Sequence, residues 1–442
     1  MPSPWAAAVA VMGMLTLGIL LGSATSQVAQ SAGLNSIVLE VPDAAPAKPE
    51  PVAAAAAPVP AEPAAPAPLP VTASTLPLAP PPVAEPLPEA PAAPTAPPEI
   101  PEPEALPPVK HVFLIVLGEN GYEEAFGATS TAPYLARTLR ARGELISNYY
   151  AVAKGELANQ IALISGQGPT PETAANCPIY GDVVPGTISA EGQVEGGGCV
   201  YPAATPTLPG QLVEKKLKWK AYVEDIADGC TPEPLRPNPF LYFRSLIDSG
   251  ECAGSDVDLD QLEADLRLGA KAPALSYIVP NACHDGGEVP CAEGQPTGAL
   301  ESEAFLRQVV PAIEASPAYG DGGLIAITST QARQTGPTPD TSACCVSPTY
   351  PNLPPEPAAA PTAGAVKPSG GGGRVGLLLI SPFVKPGSSE EAAYFNHYSL
   401  LLTIEELFGL EKLGYANELA LVPFGETVFN TGSTGPPLPT GG

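Results

Sequence analysis

Val112 to Leu117 is an unbroken run of apolar residues between polar flanks, the pattern of a strand covered on both faces of a parallel sheet. The pattern returns at Trp219 to Val223, Ala274 to Val279, Leu324 to Thr328 and Val375 to Ile380 and predicts four more strands. Between them, helical patterns run over Ala132 to Arg142, Leu208 to Leu217, Leu259 to Leu268, Glu301 to Glu314 and Tyr398 to Phe408. Gly143, Gly269 and Gly409 supply stop signals. Strand alternating with helix predicts an α/β domain: a mostly parallel central sheet with helices on both faces.

In such a sheet the polar residues just past the strands' carboxyl ends crowd into one crevice, where ligands bind. Those positions are Glu119 and Asn120; Glu224 and Asp225; Asn281, His284 and Asp285; and Ser329, Thr330 and Gln331. Pro348 to Gly373 is rich in Pro, Gly and Ala and reads as a mobile loop.

Composition confines this domain to part of the chain. Of 442 residues 59 are proline, 24 of them in an Ala/Pro/Glu/Val stretch from Val41 to Pro108. Proline removes backbone donors and alanine buries little area, so the stretch is expected to be an extended, solvated linker. Ahead of it, Pro4 to Gly22 is apolar, uncharged and near the length that crosses a hydrocarbon core. It reads as an export segment, either a cleaved signal or a retained anchor. The predicted organisation is therefore export segment 1–27, linker 28–109, α/β domain 110–430 and a disordered tail 431–442. The expected location is extracytoplasmic, with the membrane met through the N-terminal segment and cell-wall or envelope components as candidate partners. A net charge of −26, with no Lys/Arg cluster that could track a phosphate backbone, argues against nucleic acid as a partner.

Eight cysteines, an even number, fit an oxidising compartment. Their proximity along the chain suggests pairing Cys177 with Cys199, Cys230 with Cys252, Cys283 with Cys291 and Cys344 with Cys345, although spacing alone does not fix connectivity. No C-x-x-C is present and there are only three histidines, so a Cys/His zinc site has little support.

Four passages resemble the bacterial phosphoesterase family that contains acid phosphatases and phospholipases C, a branch of the alkaline phosphatase superfamily. They are HVFLIVLGENGYEEAFG from His111, NYYAVAKGELANQIALISG from Asn148, WKAYVED from Trp219 with ALSYIVPNACHD from Ala274, and GRVGLLLISPFVKPG from Gly373 continuing through NHYSLLLTIEELFGL. The resemblance implies an alkaline phosphatase-like fold and a metal-assisted phosphate-ester hydrolase. In that chemistry a hydroxyl attacks phosphorus and carboxylates hold a divalent cation. It places Glu119 and Asn120 at the first metal-ligand pair, and Asn159, His284, Asp285 and His397 in the pocket. His397, just ahead of an apolar helix, is equally a capping candidate.

The departures from the family pattern lie at the chemistry. Where the family reads approximately T-H-P-S-L-P-N-Y, with serine as nucleophile, this chain has Ala153, Lys154, Gly155, Glu156, Leu157, Ala158, Asn159 and Gln160. Glu156 stands at the nucleophile position. The family's F-D-E strand end is Ser329, Thr330, Gln331, and its H-D-x-H is His284, Asp285, Gly286, Gly287. Nucleophile, two metal carboxylates and one imidazole are gone together, which predicts a pseudoenzyme acting as a binding or interaction module. The alternative is an active phosphatase or phospholipase C-like hydrolase with a rearranged site, using Glu156 as base or nucleophile. No cofactor is expected in the first case and a weakly held divalent metal in the second. Without a metal, Glu119 and Glu156 need a counter-charge, and Lys154 is predicted to supply it.

Overall fold

The computed structural model describes residues 106–430, apart from 228, 232–237, 337, 346–347, 355–365 and 368. The export segment, most of the linker, the tail and part of the Pro/Gly/Ala-rich stretch therefore lie outside the described residues. No described helix is long and apolar enough to cross a membrane.

Eight strands form one sheet: β1 (His111–Glu119), β2 (Glu144–Ile146), β3 (Trp219–Val223), β4 (Asp256–Asp258), β5 (Leu275–Val279), β6 (Gly323–Gln331), β7 (Leu377–Ile380) and β8 (Ser388–Glu390). Their spatial order is β8-β2-β7-β6-β1-β5-β3-β4. β1 runs parallel to both β5 and β6, and β3 parallel to β4 and β5. β7 alone reverses, pairing antiparallel with β2 and β6. The fold is thus the predicted α/β architecture with a mostly parallel sheet. The reversal of β7 was not legible, because a buried apolar run carries no mark of its direction.

Alternate residues of β1 feed opposite cores, as a two-residue period requires. Val112, Leu114 and Val116 pack on one face with the helices α1 (Glu156–Ser165), α2 (Leu208–Glu214) and α4 (His397–Phe408). Phe113, Ile115 and Leu117 pack on the other with α3 (Ala299–Glu314) and with Leu135 and Leu139. Residues 132–142, expected as one α-helix, form a wide π-type turn over Tyr134–Leu139 followed by a 3-10 turn over Arg140–Arg142.

The cysteines pair 177–199, 230–252, 283–291 and 344–345. The first two bonds each close 22 residues of chain, which constrains the unfolded state far more than the bond between neighbours does.

Candidate functional site

The carboxyl ends of β1, β5 and β6 lie side by side, with Glu119 directly opposite Gln331 in the β1–β6 register. The loop after β5 folds back over β1. Gly118 N–H donates to the Asp285 carbonyl at 2.8 Å, and Asn120 Nδ2 donates to the same oxygen at 2.9 Å. A Cβ at Gly118 would lie 2.7 Å from the Asp285 carboxyl carbon, so only glycine lets this loop come so close. Gly286, at φ +89°, turns the chain where any Cβ would strike the Asn120 amide.

Opposite this edge, α1 begins at Glu156. Gly155 precedes it at φ +97°, where a Cβ would lie 2.5 Å from the Ala174 carbonyl oxygen. The loop into α1 is held by Asn159 from within the helix. Its Oδ1 accepts from Val152 and Ala153 N–H at 2.9 and 3.1 Å, and its Nδ2 donates to the Ala153 and Gly155 carbonyls at 2.6 and 2.9 Å. Gln331 Oε1 accepts from Gly155 N–H at 2.8 Å, tying the same loop to the end of β6.

Glu156 then points at its neighbours in the crevice. Thr330 Oγ1 donates to Glu156 Oε2 at 3.2 Å. Burial first, then the negative charge of Asp285 and of Glu119, raises the Glu156 carboxyl to about 7, while the Thr330 hydrogen bond opposes the rise. Burial raises Asp285 to about 6, with Glu119 adding to the rise; the Gly287 N–H and His284 oppose it. Glu156 thus has Asp285 and Glu119 as acidic neighbours.

The remaining candidates are spent elsewhere. Lys154 is exposed, and the predicted ion pair to Glu119 or Glu156 is not formed: the ammonium keeps its hydration in solvent while burial disfavours the charged form of the Glu156 carboxyl. The His284 ring nitrogen Nδ1 lies 2.8 Å from Glu224 Oε1, so this residue buttresses the disulfide-closed loop after β5. Glu224 also accepts from Asn281 N–H at 2.9 Å, and Asp225 accepts from the Asn281 amide at 2.6 Å. His397 is fully buried, with burial lowering its pKa to about 4. Its Nε2 lies 3.0 Å from the Thr330 carbonyl and so carries the proton, leaving Nδ1 to accept from Tyr149 OH at 2.9 Å. The helix cap expected as one of its roles is made by Asn396, whose side chain accepts from Ser399 N–H. His397 instead braces β6 from behind.

This arrangement decides whether a family metal fits. Asn120, Asn159, Gln331, His284 and His397 all hold protein groups, and only Glu119, Glu156 and Asp285 present carboxylate oxygens to the crevice. Even these are engaged: Glu119 accepts from Gln334 N–H, Asp285 from Gly287 N–H and Glu156 from Thr330. Among the described residues, the trios of His, Cys, Asp and Glu whose ligand atoms come within 4.8 Å of one another are Cys283/His284/Cys291 and Cys230/Cys252/Asp256. Both contain a disulfide, whose sulfurs are not thiolate ligands. The residues present do not fit the family's metal. Burial and the neighbouring negative charge push the Glu156 and Asp285 carboxyls toward their neutral forms instead.

The class is that of α/β proteins with a mostly parallel sheet, the crevice lying at the carboxyl ends of its strands and walled by a helix that starts at Glu156. The chain belongs to the Phosphoesterase family, which it matches over residues 128–411, more than half its length. It is similar to a phosphatidylinositol-3-phosphatase of Mycobacterium tuberculosis (strain ATCC 25618 / H37Rv), 23% identical over 320 residues that cover 71% of this chain and 81% of the relative. Similar solved structures include an alkaline phosphatase superfamily protein from Vibrio parahaemolyticus, with TM-score 0.44, 12% identity and 72% and 71% of the two chains covered. A lipoteichoic acid synthase from Listeria monocytogenes gives TM-score 0.42, 10% identity and coverage of 71% and 76%.

Proposed function

We propose that this member of the Phosphoesterase family is an extracytoplasmic binding module that has given up phosphate-ester turnover. The observation that carries the reading is Glu156: at the position where the family has its attacking hydroxyl stands a carboxyl group, with Asp285 and Glu119 as its acidic neighbours. A phosphate ester entering this crevice meets carboxyl groups, and among the described residues no lysine or arginine forms an ion pair with Glu119, Glu156 or Asp285. The four disulfides support an oxidising compartment, and the apolar N-terminal run supports tethering at, or export across, a membrane. Envelope components are the proposed partners.

One observation favours a hydrolytic reading instead. Thr330 Oγ1 donates to Glu156 Oε2, which is a hydroxyl paired with a carboxylate that titrates near neutrality. Thr330, however, is completely buried, so its oxygen has no open line of attack. The test is turnover of phenyl phosphate and bis(p-nitrophenyl) phosphate by the full chain with added Mg²⁺, Mn²⁺, Ca²⁺ or Zn²⁺. We expect rates equal to buffer. Saturable turnover abolished by Glu119→Ala or Thr330→Val would establish the hydrolase.

A further inference from the structure

We infer that phosphate recognition in this chain has moved out of the carboxylate crevice into an arginine-floored cavity beside it. This rests on the reading above, in which the crevice itself does not hold phosphate.

The cavity has a volume of about 240 Å³ and is lined by Tyr122, Ala332, Arg333, Thr338, Asp340 and Arg374 among others. It starts one residue beyond the crevice on both strands, because Gly121 follows Asn120 and Ala332 follows Gln331. Arg374 is set there as a fixed receptor. Its Nε donates to the Ser147 carbonyl at 2.8 Å, and its guanidinium lies over the Tyr122 ring, 3.6 Å from the centroid. One edge is therefore pinned and one face stacked. Among the described residues neither Nη meets an acceptor. A planar guanidinium with orientation fixed and its outer edge free is suited to two oxygens of one anion, and little side-chain entropy is left to lose on binding.

The lining also carries Glu123, Glu124 and Asp340, and among the described residues none of these carboxylates forms an ion pair with Arg374. Asp340 spends Oδ1 on Ser342 N–H and Oδ2 on Arg374 N–H, each at 2.9 Å. Glu123 and Glu124 are exposed, where solvent and salt screen them. Arg333 pairs through Nη1 with the exposed Glu288 and adds a second guanidinium to the lining. The ligand class is a phosphate group, free or carried on a monoester whose body lies against Tyr122.

The experiment is calorimetric titration of the full chain with inorganic phosphate and with phenyl phosphate. Saturable binding is expected, weakened at least tenfold by Arg374→Gln. Thr338→Trp, which changes an exposed lining residue and blocks the cavity without touching the core, is expected to weaken it equally. Glu156→Gln should leave it unchanged. Tighter binding of phenyl phosphate than of phosphate assigns the site to esters, and equal binding assigns it to the free ion. Absence of saturable binding, or binding by both cavity variants equal to wild type, overturns the inference. So does loss of binding in Glu156→Gln alone. None of these outcomes depends on turnover, so this inference and the loss of catalysis fail separately.

Discussion

Glu156 shows how one residue changes the meaning of a site. Its carboxyl is raised from 4.5 to about 7 in the folded chain, so between those values the native state binds a proton that the unfolded chain releases. Its contribution to stability is therefore complete below pH about 4.5 and is lost as pH rises through 7. The shift corresponds to on the order of 3 kcal/mol. Thermal unfolding followed at pH 5 and pH 8 should show the wild type losing stability toward pH 8, and Glu156→Gln losing distinctly less. An equal slope in the two proteins would mean that neither burial nor the neighbouring Asp285 and Glu119 raises this carboxyl. Asn159 argues the same way from geometry. Its four hydrogen bonds to the 152–155 loop are all buried, so Asn159→Ala leaves several backbone groups without partners. A loss of about 3 kcal/mol is expected in urea unfolding. A ligand-lining asparagine would cost much less.

At the level of elements, the strands were legible wherever a buried run had polar flanks: Trp219–Val223 falls on the predicted residues, and β1 and β6 extend the predicted runs by a few. α1 was not read as a helix. Every residue from Leu157 to Ser165 is buried, so there is no polar face to give a helical period, although Gly166 at φ +66° marks its end as Gly409 marks that of α4. The site was legible as a set of positions, because the order of strands dictates which loops meet. Which atoms remain free within it was not, since that depends on partners distant in sequence: Gln331 with Gly155, His397 with Thr330, and Arg374 with Tyr122. Arg374 lies within a passage that resembles the family and gave no sign of its own beyond being one of 20 basic residues. α4 offers a check on these couplings. Asn396 caps it and donates Nδ2 to the Cys344 carbonyl at 2.8 Å. Asn396→Ala should cost about 1–2 kcal/mol in chemical denaturation. It should also speed amide exchange at the start of α4; unchanged exchange there would show that the cap is idle.

For the molecule as a whole, the proposal is that fold and chemistry have separated. The mostly parallel sheet and its two cores are present, and Asn120, Asn159, Gln331, His284 and His397 each hold a protein group. The most direct test is the metal content of the full chain after equilibration with Mg²⁺, Mn²⁺, Ca²⁺ and Zn²⁺ and removal of free ions. Well under one equivalent of any of them is the expected result. One or more equivalents retained, and lost in Glu119→Ala or Glu156→Gln, would contradict it and return the crevice to metal-assisted hydrolysis.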